Sequence, residues 1–124
     1  MPVYALIADD DLDTHQFLRD VLEIHYKNIK IEKALTYNSF MDKARRSDPP
    51  FDLIILDYHL DRDHGNDIIA SIHKEFPEIL EKVVLLNGTP EELASDERVN
   101  GVQSIQKPFS LDTFGEIVKK ICAG

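Results

Sequence analysis

A chain of 124 residues is long enough for one compact domain with its own buried core. Its 43% hydrophobic and 30% charged residues are ordinary for a globular protein. A net charge of −9, from 23 acidic against 14 basic side chains, opposes direct contact with nucleic-acid phosphates or anionic lipid. The single cysteine, Cys122, excludes an internal disulfide and reads as a small packing residue. No apolar run approaches membrane-spanning length, and Met1–Tyr4 lacks the basic and apolar regions of a signal peptide. A soluble, cytoplasmic protein is expected.

Strand-like and helix-like segments alternate along the chain. An apolar run at Val3–Ala8 is followed by a helical stretch at Thr14–Tyr26, with Phe17, Leu18, Val21, Leu22 and Ile24 mostly on one face. Asp13 with Gln16 resembles a capping box at its start. Ile29–Ala34 and Ser39–Arg46 form the next pair, closed by Pro49-Pro50. Phe51–Leu56, Gly65–Phe76, Val83–Leu86, Glu91–Arg98, Gly101–Ile105 and Leu111–Ile121 continue the alternation. The first and third strands are continuously apolar, as in parallel strands covered on both faces. Five strands each followed by a helix predict a doubly wound α/β sheet with right-handed crossovers, and one domain over 1–124.

In such a sheet, ligands bind beyond the carboxyl ends of the strands. There the first strand delivers Asp9-Asp10-Asp11, the third Asp57, the fourth Asn87 and the fifth Gln106-Lys107-Pro108. Carboxylates converging from neighbouring strands repel one another unless a cation compensates, and a hard ion such as Mg²⁺ suits oxygen ligands. Lys107 adds a second positive charge. Two cationic centres beside a carboxylate suit a phosphoryl group, and a carboxylate can attack phosphorus to form an acyl phosphate. Each fragment also has an ordinary reading: Asp9–Asp13 as an acidic helix start, Asp57 and Lys107-Pro108 as turns. Their joint placement at three strand ends is what points to chemistry.

Together, Ala5-Leu6-Ile7-Ala8-Asp9-Asp10-Asp11, Asp52-Leu53-Ile54-Ile55-Leu56-Asp57 and Lys107-Pro108-Phe109 make the chain resemble response-regulator receiver domains over essentially its whole length. Gly65 falls where that family has a glycine opening its third helix. The resemblance implies a flavodoxin-like strand order 2-1-3-4-5 and Asp57 as phosphoacceptor. It further implies Mg²⁺ held by the side chains of Asp10 and Asp57 and the backbone carbonyl of His59, with Asp9 acting through water or directly, Lys107 paired to Asp57, and a cis Lys107-Pro108 bond. The implied partners are a histidine kinase or phosphotransfer protein and an output protein of unknown identity; a homodimer stays open. Such a domain promotes its own phosphorylation without being a turnover enzyme.

Two positions depart from the family. Asn87 stands where Ser or Thr is usual, though its amide can still donate to a phosphoryl oxygen. Ser104 stands where Tyr or Phe is usual. Both partners of the usual switch are therefore absent, which keeps open a receiver-like binding module that works without phosphorylation. His59 and Thr89 occupy the positions that tune dephosphorylation in the family. Histidines 15, 25, 64 and 73 lack mutual ligand spacing and read as surface or cap residues. Asp11 and Asp13 resemble the start of haloacid-dehalogenase-type phosphatases only faintly, in a chain too short for that architecture.

Overall fold

The computed structural model describes residues 3–106 and 109–123. Its strands are β1 (Val3–Ala8), β2 (Ile29–Ala34), β3 (Leu53–Asp57), β4 (Val83–Leu86) and β5 (Gln103–Ile105). They form one parallel sheet in the order β2-β1-β3-β4-β5, as expected. The helices are α1 (Leu12–His25), α2 (Tyr37–Arg46), α3 (Ile68–Glu75), α4 (Pro90–Ala94) and α5 (Leu111–Ala123).

Strand pleating sends alternate residues to opposite faces. Ala5, Ile7, Leu53, Ile55, Val84, Leu86 and Ile105 pack beneath α1 and α5, with Leu18, Leu22, Phe114 and Val118. Leu6, Ala8, Ile54, Leu56, Val83 and Leu85 pack on the other side with Phe40, Met41, Ile69 and Ile72. All five β3 residues are buried, which is why that strand carries no alternation in its sequence. On α1, Leu18, Val21 and Leu22 are buried as expected, whereas Phe17 and Ile24 are 44% and 78% exposed.

Several boundaries differ from the sequence reading for local reasons. The cap of α1 is Asp11, which accepts from Asp13 N–H at 2.9 Å; Gln16 bonds Asp20 instead of closing a capping box. β3 begins at Leu53; at Asp52 the side-chain Oδ2 accepts from Tyr4 N–H, while the Asp52 N–H donates to the Tyr4 carbonyl at 2.7 Å. Gly65, at φ 82°, closes a 3₁₀ turn over Arg62–His64, and the left-handed conformation that only glycine takes freely cannot open a helix. α3 starts instead at Ile68, capped by Asp67. α4 stops at Ala94, and extended Asp96 then caps a separate 3₁₀ turn, Glu97–Val99. The expected cis Lys107-Pro108 bond lies outside the described residues, among which Asp48-Pro49 is cis.

Candidate phosphoacceptor and metal site

Parallel strands all release their chains at one edge, so the residues following β1, β3 and β4 meet there. Asp9 follows β1 and is only 1% exposed. Its N–H donates to the Ala34 carbonyl at 3.1 Å, and its Oδ1 accepts from Asp11 N–H at 2.8 Å. His15, on the first turns of α1, is also buried, and its Nε2 lies 2.6 Å from the Asp9 carbonyl oxygen. His15 is thus an interior strut under Asp9, not the surface or cap residue expected. Asp10, next along, is exposed.

Asp57 ends β3, opposite Leu86 of β4, and is 7% exposed. Its Oδ1 accepts from His59 N–H at 2.9 Å, and its carbonyl accepts from Leu60 N–H at 3.1 Å. One carboxylate oxygen from each of Asp9, Asp10 and Asp57 can be chosen so that all lie within 4.8 Å of one another. Three carboxylates at that separation, two of them buried, form a strongly negative, oxygen-only donor set. Hard divalent cations favour such a set, and soft metals that need sulfur or imidazole do not. Asp61, Asp63 and His64 also approach one another, but on an exposed turn.

The surroundings place the remaining expected residues. The His59 carbonyl accepts from Arg62 N–H at 3.0 Å, leaving its second lone pair. The His59 imidazole points to α4, with Nε2 3.2 Å from Glu92 Oε1 and 3.1 Å from Oε2. Glu92 also accepts from Thr89 N–H at 2.9 Å, while Thr89 Oγ1 accepts from Glu92 N–H, completing a capping box. Those bonds from Thr89 hold the Glu92 carboxyl below its ordinary range. Asn87 has φ 67°, in the left-handed region that Asn tolerates and β-branched residues resist. Ser104 is exposed on β5. Gln106 Nε2 donates to the Gly88 carbonyl at 2.6 Å, tying the ends of β4 and β5 together. Lys107 lies outside the described residues.

Four residues around the site were not singled out from the sequence: Tyr58, Glu92, Asp96 and Arg98. Tyr58 is buried, and its hydroxyl donates to Asp96 Oδ2 at 2.7 Å. The sequence carries a signal for only one of them, since Thr89-Pro90-Glu91-Glu92 has capping-box spacing.

A comparison with curated protein sequences returns no match. Solved structures resemble the fold closely. A response regulator from Thermotoga maritima aligns at 24% identity and TM-score 0.77, covering 100% of both chains. A putative response regulator from Chloroflexus aurantiacus gives 21% and 0.78, again covering 100% of both. Chemotaxis response regulator CheY4 of Vibrio cholerae gives 18% and 0.76, covering 98% of this chain and 99% of that one. At these identities the likeness concerns the fold. The family model described as the response regulator receiver domain matches residues 5–119, so this chain belongs to the receiver-domain family of two-component signalling.

Proposed function

We propose that the chain accepts a phosphoryl group on Asp57 from a phosphohistidine of a histidine kinase or phosphotransfer protein, in the presence of Mg²⁺, and signals through protein–protein contacts. The observation that carries this reading is the convergence of Asp9, Asp10 and Asp57 within 4.8 Å at the strand ends of a receiver fold. An Asp57 carboxylate oxygen attacks phosphorus; the bond from phosphorus to the donor imidazole nitrogen breaks, and its electron pair leaves with that nitrogen. Asp9, Asp10, Asp57 and the His59 carbonyl are the groups that would hold Mg²⁺. Bound there, the ion supplies neutralisation of the carboxylates and of the incoming phosphoryl oxygens.

The chain's own groups do the rest. The His59 N–H fixes the orientation of the Asp57 carboxylate. The Asp11 N–H and His15 fix Asp9 at its side chain and its backbone. Burial of Asp57 between β1 and β4 limits the directions from which a donor can approach. Lys107 is the residue proposed to pair with the phosphoryl oxygens, and the Asn87 amide a further donor. The test is intact mass after incubation with acetyl phosphate and Mg²⁺. The reading expects gain of one phosphoryl group, abolished by Asp57→Asn.

A second reading, a binding module that works without phosphorylation, is favoured by one pair of observations. Asn87 adopts a left-handed backbone, and Ser104 offers solvent no aromatic ring. The absence of any mass gain, together with absence of beryllofluoride binding, would favour that alternative.

A further inference from the structure

α4 has five residues, too few to hold a helix by its own backbone bonds. Its position depends on what ties it down, and two ties come from the segment directly after Asp57. The Tyr58 hydroxyl donates to Asp96 Oδ2, just beyond α4, and the His59 imidazole meets the Glu92 carboxylate within it.

Both ties end on groups that are themselves fixed. Glu92 is locked by its reciprocal bonds with Thr89. Asp96 accepts from Arg98 Nε at 2.8 Å and Nη2 at 2.9 Å, and Arg98 reaches on to Asp67 at the head of α3 at 2.8 Å. Tyr58 is 3% exposed, with the Arg62 guanidinium 4.5 Å from the centre of its ring.

At its other end the same segment is bonded to the phosphoacceptor. The His59 N–H donates to Asp57 Oδ1, the Leu60 N–H to the Asp57 carbonyl, and the Tyr58 N–H to the Leu86 carbonyl at 2.8 Å. A change at the Asp57 carboxylate is therefore felt by the two residues whose side chains hold α4.

We propose that Tyr58 and His59 form a latch that carries the state of Asp57 to α4, holding the helix while the carboxylate is free and releasing it when Asp57 bears a phosphoryl group. The inference rests on Asp57 being the phosphoacceptor. Phosphorylation turns one carboxylate oxygen into an anhydride oxygen and places about −1.5 to −2 charges on three outer oxygens. Those oxygens compete with Glu92 for the imidazole N–H and repel the Glu92 carboxylate. Movement of His59 drags the adjacent Tyr58 and loosens its bond to Asp96. The latch thus links site and surface without the hydroxyl and aromatic that Asn87 and Ser104 replace.

Hydrogen exchange of residues 88–99, followed by mass spectrometry on the full chain, tests this. Acetyl phosphate with Mg²⁺ is expected to quicken wild-type exchange there roughly ten-fold, the scale of losing about one charge-assisted hydrogen bond. Tyr58→Phe combined with Glu92→Gln, which keeps a capping side chain, is expected to exchange at that faster rate from the start. It should change no further with the phosphodonor, yet still gain phosphate by intact mass. Tyr58→Phe alone should fall between the two. A phosphorylated wild type with unchanged exchange over 88–99 overturns the latch and leaves the phosphoacceptor reading standing. So does a double variant whose starting exchange equals that of wild type. No phosphate gain in wild type overturns the phosphoacceptor reading, and the latch with it.

Discussion

Replacing Asp57 by Asn separates charge from shape at the centre of the site. The amide oxygen can still accept the His59 N–H, so the local hydrogen bond survives while one negative charge is removed. At 4.8 Å two unit charges repel by about 0.9 kcal/mol in a water-like dielectric and about 3.5 kcal/mol at an effective dielectric of ~20. The pair with buried Asp9 belongs nearer the upper figure and the pair with exposed Asp10 nearer the lower. Allowing for side-chain relaxation, Asp57→Asn is expected to stabilise the metal-free protein by about 1–3 kcal/mol, or ~3–12 °C in Tm for a domain of this size. Mg²⁺ should act in the opposite order. At about a hundred times its Kd it stabilises the wild type by roughly 2.7 kcal/mol. The Asp57→Asn variant, having lost a charged ligand, should gain less than about half of that. Thermal melts of both proteins, with chelator and then across a Mg²⁺ series at constant ionic strength, measure the four quantities. If Asp57→Asn destabilises the metal-free protein, or if Mg²⁺ raises both melting temperatures equally, the picture of three mutually repelling metal ligands is wrong.

Two further perturbations probe the site's flank. Asn87→Thr puts a β-branched residue at φ 67° and is expected to cost about 1–2 kcal/mol in urea unfolding, whereas Asn87→Gly should be neutral or stabilising; equal stability of all three would mean the left-handed turn is not kept. Arg98 and Tyr58 hold the Asp96 carboxyl well below the usual carboxylate range against the opposing effect of burial. Because the folded-state value is the depressed one, this contribution is complete above the unfolded value of roughly 3.9 and is lost as pH falls below it. Asp96→Asn should therefore cost about 1–3 kcal/mol at neutral pH, with the gap to wild type closing in acid; a gap that is constant down to the lowest pH at which both fold would contradict the ion pair.

The sheet was legible because strand burial is written in local composition. Val3–Ala8 and Phe51–Leu56 are apolar enough that both faces must be covered, although the third strand itself spans Leu53–Asp57. The acidic cluster was legible for the same reason, since parallel strands carry Asp9, Asp10 and Asp57 to one edge once the order is known. What the sequence concealed depends on pairings distant along the chain. Nothing local in the sequence marks Tyr58, whose hydroxyl meets Asp96 at 2.7 Å from 38 positions away. His15 looks like any polar helix residue until the Asp9 carbonyl is found beside it. The start of α3 and the length of α4 turned on Asp67 and Asp96 acting as caps, a choice that many other Asp residues in this acidic chain could have made.

The phosphoacceptor role of Asp57 is tested most directly by locating the modified residue. After treatment with acetyl phosphate and Mg²⁺, borohydride reduces an aspartyl phosphate to homoserine, which tandem mass spectrometry assigns to a position. Homoserine at position 57, absent when Mg²⁺ is chelated, is the expected result. Homoserine at position 9, 10 or 11, or at none, would contradict the assignment of Asp57.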